Sequence, residues 1–178
     1  FNFGPAPLFT LSRQHFIKAV VRLEAGAENA EKSMQKLGYI SHCSKCLNRE
    51  WREGTPAHDS CTKCKSPYAH AGPLWLGALW DARTVEKMKS LNSERNYKNK
   101  KELEALLALI TSEMSLPPTY FDLHKISEKL KTSAVPVEKV MELLRSSHFT
   151  VSRTHFKTNS IRTNAKIADV EGAVKRAL

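Results

Sequence analysis

All four cysteines of this chain fall in two Cys-x-x-Cys pairs, Cys43-Ser-Lys-Cys46 and Cys61-Thr-Lys-Cys64, with fourteen residues between them. A Cys-x-x-Cys turn brings two thiolates to one edge of a tetrahedron, and a second turn at this spacing supplies the other edge. That is the ligand set of a structural zinc site. Four protein ligands leave no open position for a substrate, so Cys43, Cys46, Cys61 and Cys64 predict a structural metal and not a catalytic one. The residues between the pairs are polar and include Gly54, Pro56 and Asp59. A bound ion would order a segment with little apolar surface to bury. Two disulfides or four reduced thiols are the alternatives, the disulfides gaining weight in an intracellular protein of a hyperthermophile. A thioredoxin-like redox pair lacks its βαβ setting here. His42, His58 and His70 lie near enough in sequence to replace a ligand, but the four cysteines already complete the set.

Charge is the second constraint. The 178 residues carry 28 Lys and Arg against 18 Asp and Glu, a net charge of +10. A surface this basic expects an acidic partner, most commonly nucleic acid. The 41% apolar and 26% charged residues are ordinary for globular chains and exclude disorder along the whole length. The length suits one good-sized domain or two small ones. Apolar runs such as 105–110 are far short of a membrane span, and no signal peptide is expected. Phe1 in place of an initiator Met makes a fragment or processed product the expectation. Residues 143–168 contain no Asp or Glu. In that run Arg145, Arg153, Lys157, Arg162 and Lys166, with His155 and the hydroxyls of Ser152 and Thr154, are the candidate phosphate contacts. Scattered Lys and Arg also occur on ordinary solvated faces; Lys98, Lys100 and Lys101 either extend the patch or belong to a flexible loop, the loop being the expectation.

Periodicity divides the chain into four sections. From His15 to Leu23, apolar residues alternate with Lys18, Arg22 and Glu24, which predicts a strand with one buried face. Ala27, Ala30, Met34 and Leu37 follow at helical spacing, with Gly38 as the stop, and 39–41 reads as a second strand. This unit is too small to cover its own apolar face and looks like the torn edge of a larger sheet. The cysteine segment follows. Asp81 then predicts the cap of a helix carrying Val85, Met88 and Leu91. Leu103, Leu106, Leu107, Ile110 and Met114 mark an amphipathic helix ended by Pro117-Pro118. Asp122 and Pro136 open two further helices. The β-rich runs 149–156 and 160–163 make a hairpin. Three helices and a hairpin are in the order of a winged helix-turn-helix domain.

No catalytic centre is legible. Ser152 and His155 with a distant Asp could be drawn as a triad, but nothing in their spacing supports one. No Gly-rich phosphate loop occurs, and no strand leads into a Gly-x-Gly turn with an acidic ribose partner.

Several motifs together resemble the tRNA guanine-N2 dimethyltransferases that modify guanosine 26. They are Pro7-Leu-Phe with His15-Phe16 and Val20-Val21-Arg22, then Leu37-Gly38-Tyr39-Ile40 and the two cysteine pairs. Gly72-Pro-Leu-Trp-Leu-Gly77, Tyr120-Phe-Asp-Leu-His124, Val151-Ser-Arg-Thr-His-Phe156 and Ile161-Arg-Thr163 complete the set. The resemblance is to the family's C-terminal half. It implies an α+β chain: residues 1–42 as terminal strands of a Rossmann-like methyltransferase sheet, 43–80 as a zinc-ribbon-like segment, and 81–178 as a helical, winged-helix-like tRNA-binding domain. The family's S-adenosylmethionine-binding domain and its Asp-Pro-Phe-Gly type motif have no match here, so no catalytic or cofactor residue carries over and the chain alone is expected to be inactive. It implies tRNA as partner, a monomer with no membrane, and a cytoplasm of archaeal type with reduced cysteines, or a nucleus in a eukaryote. A zinc-ribbon and winged-helix transcription factor reading duplex DNA is the alternative.

Overall fold

A computed structural model describes residues 2–13 and 15–178. It begins with a long antiparallel hairpin, β1 (Phe3–Arg13) and β2 (Phe16–Ala25), with a register slip between Pro7 and Phe9. Pro5 and Pro7 lack an N–H, which suits β1 to its position at an edge of this two-stranded sheet. The expected strand is present, but neither of its faces is buried: Ile17 and Leu23 are 76% and 65% exposed, and Phe16, Val20 and Val21 are exposed too. Only β1 is anchored, where Phe9 joins Trp80, Val85, Leu107 and Ile110 in one apolar cluster.

Helix α1 (Ala27–Met34) is shorter than its apolar spacing predicts, because Leu37 and Gly38 belong to β3 (Leu37–His42). Gly38 is therefore a strand residue and not a helix stop. A Cβ there would lie 2.1 Å from the Arg52 carbonyl oxygen, so the crossing strand admits only glycine. β3 is the central strand of a second sheet, flanked on both sides by antiparallel partners, β4 (Arg49–Glu53) and β5 (Ala69–Trp75).

The remainder is mostly helical. Asp81 caps α2 (Ala82–Glu94), accepting from the Thr84 N–H at 2.8 Å. α3 (Lys100–Glu113) follows after a short turn. β6 (Phe121–Asp122) leads directly into α4 (Leu123–Leu130), with Asp122 accepting from the His124 and Lys125 amides. α5 (Val137–Ser146) is preceded by Pro136. β7 (Val151–Arg153) and β8 (Ser160–Thr163) pair with β6 in the order β6-β8-β7, and α6 (Ile167–Arg176) closes the chain. Ile126, Val140, Leu144, Ile161, Val170 and Val174 form the largest core, shared by α4, α5, β8 and α6. α6 was not expected from the sequence, although Ile167, Val170 and Val174 stand at helical spacing.

One polar cluster ties these parts together. The Glu113 carboxylate, at the end of α3, is fully buried. It accepts from Thr154 Oγ1 at 2.8 Å and His155 Nδ1 at 2.5 Å, and pairs with Arg162 at 3.4 Å. Arg162 also donates to the carbonyls of Leu116 and Pro117. His155 Nε2 receives the Ser12 N–H of β1 in a long bond of 3.4 Å, which leaves the ring proton on Nδ1, facing Glu113. Trp80 lies edge-on to His155 and donates to the Thr10 carbonyl at 2.7 Å. A buried guanidinium deprived of its carboxylate is strongly destabilising. Glu113→Ala should therefore lower the unfolding free energy by about 3–5 kcal/mol. Urea denaturation checks this, and a loss below about 1 kcal/mol, the range of surface pairs, would show that the cluster is not a structural lock.

Candidate metal centre and nucleic-acid face

The two cysteine turns are built alike. Each first cysteine donates its N–H to the residue five ahead, Cys43 to Asn48 at 2.9 Å and Cys61 to Ser66 at 2.8 Å. Each accepts at its carbonyl from the residue four ahead, Leu47 and Lys65, both at 2.9 Å. Leu47 and Lys65 sit at φ of 59° and 63°, the left-handed conformation that closes such a turn. These backbone amides make the turns rigid and bring the thiols of each pair to one point.

All four sulfurs lie within 4.8 Å of one another. Cys43 and Cys64 are 3.5 Å apart, as are Cys46 and Cys61. Zinc–sulfur bonds of about 2.3 Å in a tetrahedron put the sulfurs about 3.8 Å apart, so the set fits a tetrahedral metal. A disulfide needs about 2.05 Å, and all four thiols are free. Cys43 and Cys61 are fully buried. Burial pushes the Cys46 thiol up to about 12. At Cys61 burial also pushes upward, but the Cys64 N–H, the Tyr68 hydroxyl and the Lys63 N–H overcome it and bring the thiol down to about 6. A divalent cation held among the four sulfurs would favour the thiolate form of each. Around it, Asn48 Nδ2 faces Cys61 Sγ at 3.9 Å and Tyr68 Oη at 2.8 Å, and Tyr68 donates to Glu50 at 2.8 Å. Among the described residues no histidine joins the cluster. His70 instead meets Ser41 Oγ at 2.9 Å.

The cysteine segment docks on the C-terminal helices through charges. Lys129 donates to the Cys46 carbonyl at 3.0 Å and pairs with Glu171, which also meets Lys63 at 3.1 Å. Burial raises the Glu171 carboxyl, but Lys129 and Lys63 outweigh it and hold the group below its ordinary value.

The structure divides the eight candidate phosphate contacts. Arg145, Lys157 and Lys166 are exposed, and Arg153 is half-buried. Arg153 Nε bonds Glu138 at 2.8 Å and Lys157 pairs with Asp122 at 2.7 Å. Ser152, Thr154 and Arg162 are buried, and the His155 side chain is 2% exposed. Ser152 Oγ meets Ser112 Oγ at 2.6 Å, and the other three serve Glu113. In this structure the polar atoms of these four side chains are engaged inside the fold and are not presented at the surface. Trp80 is 4% exposed and belongs to the core, while half-buried Trp75 donates to the Ala78 carbonyl at 3.0 Å. Two residues that the sequence did not single out, Arg49 and Trp51, stand on β4, which follows the first cysteine turn, and no periodic signal marks that strand.

Comparison with known proteins matches the chain across residues 2–175 to the family model TRM, N2,N2-dimethylguanosine tRNA methyltransferase. It is 32% identical over 166 residues to a tRNA (guanine(26)-N(2))-dimethyltransferase of Methanosphaera stadtmanae, covering 92% of this chain and 43% of that protein. The same named enzyme of Methanothermobacter thermautotrophicus is 33% identical over 165 residues, again with 92% and 43% covered. Among solved structures, Trm1 from Pyrococcus horikoshii in complex with S-adenosyl-L-methionine superposes with a TM-score of 0.82 at 29% identity, over 97% of this chain and 44% of that one. The mixed α/β architecture is thus shared, and the chain spans less than half the length of the relatives it matches. By the extent of that match the chain belongs to the N2,N2-dimethylguanosine tRNA methyltransferase family.

Proposed function

We propose that this chain is the zinc-stabilised, tRNA-holding portion of a tRNA guanine-N2 methyltransferase that modifies guanosine 26. The observation that carries this is the family match over residues 2–175. S-adenosylmethionine would supply the methyl group to the exocyclic amine of guanine from a portion outside these residues. The relatives sharing the match are named for dimethylation of that position, and the alternative of a duplex-DNA transcription factor has no support among them. Among the described residues no helix is long and apolar enough to cross a membrane. A cytoplasmic monomer is the proposed state.

The division into 1–42, 43–80 and 81–178 is supported in outline by the three separate sheets, with β3 belonging to the cysteine segment by its pairing. The apolar side chains exposed on the hairpin support its reading as the edge of a methyltransferase sheet. The succession α3, β6, α4, α5, β7, β8 supports a winged-helix-like unit. Cys43, Cys46, Cys61 and Cys64 would hold the zinc, and Arg145, Lys157 and Lys166 would meet tRNA phosphates, with Arg153 released from Glu138 to join them.

Two measurements test this. Metal analysis of reduced protein should find about one zinc per chain. A chelator should remove it with a fall in thermal stability, and binding should weaken at acid pH, where the thiols protonate. Reduced protein holding no zinc would defeat the metal assignment. The chain should also bind tRNA more tightly than duplex DNA at equal salt, with affinity falling as salt rises, and transfer no methyl group by itself. Equal or better DNA binding, or turnover by the chain alone, would contradict the proposal.

A further inference from the structure

Between the cysteine segment and the C-terminal sheet lies a cleft of about 600 Å³, walled by β4, the second cysteine turn, β6 and the turn into α6. That is the size of an ordinary small-ligand site. Arg49 and Trp51 line it from the same face of β4, about 6.6 Å apart along the strand. The Arg49 guanidinium lies over the Phe121 ring, 4.2 Å from its centre. Its Nε is buried without a hydrogen-bond partner among the described residues. Burial brings the group down to about 10, against the pull of Tyr120 and Asp122. A cation placed in this way is poorly compensated and awaits an anion.

The other lining groups agree. Trp51 is 44% exposed, although a free indole surface is costly to leave in water. Among the described residues Glu50 is the one acid on the lining, and its Oε1 accepts from Thr62, Tyr68 and Asn48. Lys166 stands exposed on the opposite wall. An aromatic face beside a guanidinium whose Nε has no partner, with Lys166 across the cleft, matches a base and its own phosphate.

We propose that this cleft holds one unpaired nucleotide of a bound RNA, the base stacked on Trp51 and the phosphate paired with Arg49. It rests on the tRNA-holding reading and adds a position within it. The base must be unpaired, because a stacked duplex base offers no free face. None of the eight basic and hydroxyl candidates from the acid-free run except Lys166 lines this site.

The test uses the zinc-loaded chain titrated with tRNA, read by filter binding and by tryptophan fluorescence. Trp51→Ala should weaken binding about tenfold, within the range for loss of one stacked base, and Trp51→Phe should recover most of it. Trp51 is exposed, so zinc content and melting temperature should not move. Arg49→Met should weaken binding and reduce the salt slope by about one. Wild-type affinity in both Trp51→Ala and Arg49→Met, with tRNA still bound, would overturn the cleft assignment and leave the tRNA reading in place. Failure of the unaltered chain to bind tRNA would overturn both. Guanosine 5′-monophosphate that quenches Trp51 as strongly as tRNA, at similar concentration, would assign the cleft to free nucleotides and overturn the RNA proposal.

Discussion

A carboxylate buried to zero exposure must have its donors and counter-charge brought to it, and Glu113 imposes that demand on three other stretches of chain. Thr154 and His155 come from the segment after β7, Arg162 from β8, and Ser12 of β1 reaches the cluster through His155. In a low-dielectric site each of these bonds is stronger than at the surface, and each unmade one is more costly. The positions of α3, the C-terminal sheet and the hairpin are therefore coupled. Arg162 carries the coupling further, to the carbonyls that end the α3 region and to the Trp80 face, 5.7 Å away.

The cysteine segment is held by different means. It has almost no apolar core of its own: Cys43, Cys46, Cys61 and Tyr68 are its buried side chains of that kind. Its order rests on two backbone-closed turns and the sulfur cluster they create. Its place against the helices rests on Lys129, Lys63 and Glu171 and on the Arg49–Phe121 stack. The same docking leaves the cleft between the two parts. The ordered cysteine turns thus set where β4, which follows the first of them, presents Arg49 and Trp51.

Much was legible from residues alone where the cause is local. The cysteine turns need only their own spacing, and Asp81 and Asp122 cap helices through amides two or three residues away. Amphipathic spacing located α3, α4 and α5. Gly38 looks like a helix stop because helical spacing continues through Leu37, whereas pairing of Leu37 with Trp75 and of Gly38 with Glu53 decides the strand. The run 143–168 was read as a positive surface because it lacks acids. Its partners lie elsewhere in the chain: Glu138 meets Arg153, Asp122 meets Lys157, and Glu113 lies beneath Arg162.

By itself the sequence determined the gathering of four cysteines, the helix starts at Asp81, Asp122 and Pro136, and a family resemblance that comparison bears out, since each depends on residue types at short or ordered separations. The tertiary structure alone decided which charges are free. Ser152, Thr154, His155 and Arg162 went inward because a buried carboxylate from another helix required them. Arg49 and Trp51 line a cleft because two independently ordered parts meet there. Burial and charge pairing between distant residues are properties of the packed chain, and no local pattern encodes them.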